Sequence, residues 1–260
     1  MRRSDRPNHR DASSGKNSGE EILVGGRLTA GVVRIGDTVR RPVTPSSPFV
    51  ARLLTHLATI GFDGAPRYLG RDERNRDILS FIPGWVPVNF QRFENDHIWC
   101  AGQLLQRFHA ATSDSDLVEQ GQVVCHHDPG PNNIVFQDDR PRALIDFDLA
   151  APGDPLNDIG YMAWTWCISS RPDRGPVALQ AEQVRLLSDA YRLAAYDRRR
   201  IFDAIIKQQE CNMRFWTTYR ADKASTVPTP PETIQQRIEW TERERDYTQI
   251  NRTMFKRVLT

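Results

Sequence analysis

The chain has 260 residues, 39% hydrophobic and 26% charged, with a formal net charge of +2. That is the balance of an ordinary soluble protein, large enough to bury a core and to divide into two lobes. Basic residues nowhere cluster with aromatics, which argues against a nucleic-acid partner. No apolar run approaches the ~18 residues of a membrane span. Four widely spaced cysteines, without a Cys-x-x-Cys pair or an apolar leader, read as thiols of a reducing, cytoplasmic compartment.

Residues 1–19 are rich in Arg, Ser, Asp and Asn and nearly free of apolar side chains, the composition of a disordered tail. Ile22-Leu23-Val24 and Val32–Ile35 read as strands joined by a connection carrying Gly25, Gly26 and Gly31. Glycines let a backbone approach phosphate closely with its N–H groups free, although many hairpins have Gly-rich turns without that role. Gly36-Asp37 turns the chain into a third strand, Thr38–Pro42. Alternation along it puts Arg41 on the face of Val39 and sends Arg40 the other way, making Arg41 the candidate phosphate contact. Residues 48–61 form a helix with the stripe Val50, Leu53, Leu54, Leu57 and Ile60, and contain no Asp or Glu. Strands follow at 65–69 and 77–82, separated by a polar turn, and Pro83-Gly84 closes a first lobe spanning 20–84. Residues 85–260 read as mainly helical, with apolar residues at helical spacing from Ile98 to Ala111 and around Ile201. Trp164, Trp166 and Trp216 suit a core better than a ligand wall.

The most informative stretch runs from Val123 to Asp148. It contains His126-His127-Asp128, a Pro-Gly-Pro loop, Asn132-Asn133, and an apolar run, Ala143 to Phe147, holding Asp146. This order matches the His-x-Asp-x-x-x-x-Asn catalytic loop and metal-binding Asp of kinases. Phosphoryl transfer needs positioning and charge stabilisation more than covalent chemistry. Asp128 is the candidate base for an acceptor hydroxyl. Asn133 and Asp146 offer the few oxygen ligands that magnesium takes from protein. Val123–Cys125 and Ile134–Phe136 read as strands, and a hairpin into 143–147 would return Asp146 beside Asn133. His126 is expected to brace the loop. Asp148 either extends the metal site or accepts a hydrogen bond, Asp154 belongs to a turn, and Asp158 caps helix amides.

From these motifs the chain resembles the aminoglycoside phosphotransferase and choline kinase family, small-molecule kinases with a protein-kinase-like fold. The resemblance spans roughly residues 22–220 and extends to Gly153-Asp154-Pro155-Leu156-Asn157-Asp158-Ile159-Gly160. It implies an α+β bilobal fold, a small antiparallel sheet with one helix and a larger helical lobe. It also implies ATP or GTP in the cleft, Mg2+, and transfer of the terminal phosphate to a small-molecule hydroxyl. Gly25, Gly26 and Gly31 would lie on the nucleotide phosphates, and the backbone at Phe81 and Ile82 would meet the base. One departure stands out: the family's helix carries a Glu that pairs with the strand cation, and here that Glu is missing. The departure keeps open an alternative, a nucleotide-binding pseudokinase serving as sensor or scaffold. Only seven residues separate Asp146 from Asp154-Pro155, too few for the segment that holds peptide substrates in protein kinases. Basic residues are in excess in the first lobe and acidic ones in the second, a lean toward a neutral or cationic acceptor. Nothing in the sequence fixes the acceptor's identity or the oligomeric state.

Overall fold

The computed structural model describes residues 19–23, 31–87, 91–118, 122–221 and 229–259. The predicted tail, apart from Gly19, and the candidate loop glycines Gly25 and Gly26 lie outside the described residues.

The first lobe is an antiparallel sheet of β1 (Glu21–Ile22), β2 (Val33–Ile35), β3 (Thr38–Pro42), β4 (Tyr68–Arg71) and β5 (Arg76–Ser80), in the order β1-β2-β3-β5-β4. Gly36, at φ +58°, makes the tight β2–β3 turn. β3 pairs with β5 in the register Val39↔Leu79 and Arg41↔Asp77. β4 starts later than the predicted 65–69, because Pro66 has no N–H to give to a ladder. Helix α1 (Ser47–Thr59) opens on Pro48, where a missing N–H breaks no helical bond. It buries Val50, Leu53, Leu54 and Leu57 against β4 and against a 3₁₀ turn at Phe147–Leu149 in the second lobe. Each such side chain stabilises the fold by about 1.5–3 kcal/mol.

Between β5 and the helical part of the chain stands Gly84, at φ +143°. A Cβ there would stand 2.3 Å from the Phe136 carbonyl oxygen, so only glycine lets the chain pass. Trp85 then bridges to Phe136, its ring stacked on the Phe136 ring at 4.6 Å.

The second lobe is mainly helical. Helix α2 (Asn95–Thr112) buries Ile98, Ala101, Leu104, Leu105 and Phe108. They pack against α4 (Val177–Tyr191) and against β8 (Arg140–Leu144) of the hairpin formed with β7 (Ile134–Gln137). Helix α3 (Leu156–Met162) continues into a π-turn at Ala163–Cys167 and packs on α6 (Ile201–Ala221), which in turn packs on α7 (Pro231–Ile250). Short helices α5 (Ala195–Arg198) and α8 (Arg252–Arg257) complete the lobe. A further strand, β9 (Ala151–Gly153), pairs with β6 (Val123–Cys125), a pairing not foreseen from the sequence. The two-lobe α+β architecture is the one expected, and among the described residues no helix is long and apolar enough to cross a membrane.

Candidate active site

The loop between β6 and β7 carries the key side chains, and its shape follows from a few buried contacts. The Pro-Gly-Pro segment was expected to exclude helix; it holds one 3₁₀ turn, Pro131–Asn133, with Asn133 N–H donating to Gly130 O at 2.9 Å. Asn133 Nδ2 donates to the Asp128 carbonyl at 2.9 Å and to Asp128 Oδ2 at 2.8 Å. Its other amide atom, Oδ1, accepts from Asn132 Nδ2 at 3.0 Å. Trp166 Nε1 donates to Pro129 O at 3.1 Å and ties the loop to the π-turn.

His126 is fully buried and braces the loop as anticipated. Its Nδ1 accepts from Asp128 N–H at 3.3 Å, so Nε2 carries the proton given to Ile145 O at 3.0 Å. Asp158 is also fully buried, but it does not cap its own helix. Its two oxygens accept from His126 N–H at 2.6 Å and His127 N–H at 2.8 Å, and Oδ2 also from His109 Nε2 at 3.0 Å. Burial alone would raise the Asp158 pKa. The His109 hydrogen bond and the neighbouring imidazoles outweigh it and hold the carboxyl below its ordinary range. His109, Cys125 and Asp158 stand within 4.8 Å of one another, yet Asp158 is committed to those donors and Cys125 donates to Asp154 O at 3.2 Å. Asp154 serves its turn, accepting from Leu156 N–H at 2.9 Å.

Asp128, Asn133 and Asp146 all line one cleft. Ile145 N–H donates to Asn133 O at 2.9 Å, which sets Asp146 beside Asn133. The strand was expected to run to Phe147; it ends at Leu144, and Asp146 sits in left-handed backbone at φ +64°. That turn directs Asp146 out of the hairpin, with 42% of its side chain exposed. A carbonyl oxygen and a carboxylate on one open cleft form a donor set that fits magnesium. Asp128 Oδ1 is buried, and the Tyr161 hydroxyl stands within reach of the Asp128 carboxylate. Burial pushes the Asp128 pKa up and the Asp146 charge adds to it, against the Tyr161 hydroxyl and the Asn133 amide.

Arg41 is 8% exposed and reaches across from the sheet. It ion-pairs with Asp148, and its Nη2 lies 3.6 Å from Asp146 Oδ1. The cation lacking a helix Glu is thus held by an aspartate two residues past Asp146. Arg40 points away, to Thr38 Oγ1 at 2.6 Å and Asp72 at 3.7 Å, as alternation required. Gly31, at φ +81°, lies off the cleft lining, as do Phe81 and Ile82. Phe81 N–H is already donated to Asp37 O at 2.9 Å. Ile82 N–H has no backbone partner among the described residues, which makes Ile82 the more available of the two toward a base.

Beyond Asp128 the cleft is walled by Tyr161, Lys207, Phe215, Trp216, Arg237 and Trp240, none of which carried a site motif. Glu182, Asp189, Asp203 and Glu210, the acidic residues placed by the sequence where an amino sugar could meet them, are all absent from the cleft lining. Glu182 and Asp189 pair with Arg185 at 2.9 and 2.8 Å, and Asp203 with Lys256 at 3.6 Å.

The model of the phosphotransferase enzyme family matches residues 47–202. The trifolitoxin immunity protein of Rhizobium leguminosarum bv. trifolii is 34% identical over 216 residues, 72% of this chain and 79% of that protein. A choline/ethanolamine kinase family protein from Mesorhizobium loti superposes with a TM-score of 0.62 at 16% identity, covering 95% of this chain and 92% of the other. An ADP-bound aminoglycoside phosphotransferase superposes with a TM-score of 0.52 at 13% identity, covering 91% and 94%. These folds carry the protein-kinase-like two-lobe arrangement seen here. The resemblance read from residues 123–160 is thereby shown, and the chain belongs to the phosphotransferase enzyme family.

Proposed function

We propose that the protein moves the terminal phosphate of ATP or GTP to a hydroxyl of a small molecule, with Mg2+. The observation that carries this reading is the meeting of Asp128, Asn133 and Asp146 on one cleft. Asp128 orients the acceptor hydroxyl and takes its proton. The acceptor oxygen forms a bond to the terminal phosphorus, the bond from that phosphorus to the bridging oxygen breaks, and a nucleoside diphosphate leaves. Asn133 Oδ1 and Asp146 would hold the metal, whose charge, when bound, offsets that of the phosphates. Arg41 supplies a planar fork of donors for phosphate. Gly31, with Gly25 and Gly26, would border the phosphates, and the backbone at Phe81 and Ile82 the base. The lobes would divide near 84, residues 20–84 taking the nucleotide and 85–260 the acceptor. The immunity role in the name of the relative from Rhizobium favours a toxic compound as the acceptor. The pseudokinase reading rested on an Arg41 without a partner, and Asp148 supplies one.

Replacing Asp128 by Ala tests the assignment. Transfer should fall by about 10²–10⁴-fold, the usual worth of a general base, while nucleotide binding in a thermal-shift titration persists. Undiminished turnover would remove Asp128 from the mechanism.

A further inference from the structure

The cleft beyond Asp128 has a charge that phosphoryl transfer does not call for. The whole cleft, with the space at Asp128 and Asp146 included, has a volume of about 1090 Å³, room for a drug-sized molecule. Apart from Asp128 and Asp146, its charged lining among the described residues is Arg171, Arg174, Lys207 and Arg237 against Asp173. Asp173 is paired with Arg171 at 2.6 Å. Lys207 Nζ donates to the neutral Asn157 amide at 3.0 Å, and Arg237 lies 4.2 Å over the Trp216 ring. The acidic lean of the second lobe does not reach this wall.

Arg174 is the decisive group. It is 3% exposed and lines the cleft. Of its five N–H donors, one is used among the described residues, Nη2 to Trp166 O at 2.9 Å. It forms no ion pair with a described residue. Glu244 and Asp173 are the nearby acids; Asp173 is taken by Arg171, and the Glu244 oxygens accept from Ser170 N–H at 3.0 and 3.2 Å, from Ser170 Oγ at 2.8 Å and from Ser169 Oγ at 3.4 Å. The remaining nitrogens of Arg174 are not among the buried unpartnered atoms, so they stay within reach of solvent, and the cleft is the side from which a partner can reach them. Trp166 joins this group to the catalytic loop, accepting from Arg174 on its carbonyl and donating from Nε1 to Pro129 O. Phe215, Trp216 and Trp240 supply an aromatic wall nearby.

We infer that the acceptor carries a carboxylate bound by Arg174 and an aromatic body seated against Trp216, Phe215 and Trp240. This rests on the phosphotransferase reading of the same cleft and names its substrate class. A polyamine such as an aminoglycoside would set its ammonium groups against Arg174, Lys207 and Arg237.

The test uses indole-3-butyrate and its primary amide as probes, titrated calorimetrically into the full-length protein, with gentamicin as the polycationic comparison. The acid should bind about tenfold or more tightly than the amide, the usual worth of a hydrogen bond to a charged group, and gentamicin more weakly than either. Arg174→Gln, checked for folding by thermal melting, should bring acid and amide to parity, and Arg174→Lys should keep part of the preference. Parity in the unmodified protein, a preference that survives Arg174→Gln, or gentamicin binding more tightly than the acid would each overturn the inference. Magnesium-dependent ATP hydrolysis by the unmodified protein reports on the phosphotransferase reading independently. Hydrolysis with acid–amide parity rejects the carboxylate site alone, and acid preference without hydrolysis rejects the kinase reading while keeping the anion site.

Discussion

Asp158→Ala removes a carboxylate that never meets a substrate, yet it should be among the most damaging single changes in the protein. Two backbone N–H groups of the catalytic loop and the His109 imidazole donate to Asp158, at 2.6, 2.8 and 3.0 Å. Hydrogen bonds to charged groups are worth about 1.5–3 kcal/mol each, but the three share one desolvated carboxylate and do not add. Leaving buried donors without their acceptor costs about 1–3 kcal/mol for each group, and with three donors sharing Asp158 a loss of about 3–5 kcal/mol is expected here. Against a typical total of about 5–15 kcal/mol it is a large fraction, enough to lower the melting temperature by about 10 °C or more. Urea titration at neutral pH measures it. The deficit has a pH signature whose sign follows from the lowered pKa of Asp158. A depressed carboxyl stabilises the fold above its unfolded pKa of ~3.9 and loses that contribution as pH falls through the folded value. The gap between the unmodified protein and the variant should therefore be widest near neutrality and narrow in acid. Because His126 and His127 set the position of Asp128, kcat should fall as well. A loss under about 1 kcal/mol with kcat unchanged would show that the loop is held by something else.

Two further outcomes follow from the charges around the cleft. The Asp128 pKa is raised by burial, so kcat/KM should decline with falling pH at a value above the ~3.9 of a free carboxyl. The same shift means that ionised Asp128 destabilises the fold above its folded pKa; Asp128→Asn should therefore melt higher than the unmodified protein at neutral pH, an advantage that disappears in acid. Asp148→Asn leaves Arg41 with Asp146 as its ion-pair partner. Arg41 then competes with metal for that carboxylate, and the magnesium concentration giving half-maximal ATP hydrolysis should rise. An unchanged magnesium requirement would mean that Arg41 does not draw on Asp146.

What the sequence revealed of the site, and what it hid, divides by how local the cause is. The strand–loop–hairpin around Asp128, Asn133 and Asp146 is written in contiguous residues, so alternation, Pro-Gly-Pro and the polar turn at 137–141 were enough to place it. Arg41 was legible for the same reason, since facing is a property of one strand. The partner of Arg41 was not, because Asp148 comes 107 residues later in the chain and meets it only when α1 and the 147–149 turn pack together. Asp158 looked like a helix cap because its own helix begins nearby, whereas its actual donors lie 31 and 32 residues earlier. The end of the hairpin was misplaced because Ile145-Asp146-Phe147 alternates like a strand. The left-handed turn at Asp146 shows only in the backbone.

The acceptor wall illustrates the limit most sharply. Charge summed over a lobe suggested a neutral or cationic acceptor, but lobe-wide charge is mostly helix surface paired with itself, as Arg185 is with Glu182 and Asp189. What a ligand meets is the charge left facing the cleft, and there Arg171 and Arg174 at the 3₁₀ turn, α6 and α7 contribute cations and aromatic rings. Those residues come from three segments between 171 and 240, none with a periodicity that marks it. Asp128, Asn133 and Asp146, proposed for phosphoryl transfer, thus lie within one contiguous stretch, whereas the side chains proposed to meet the acceptor come from distant segments that only the fold brings together.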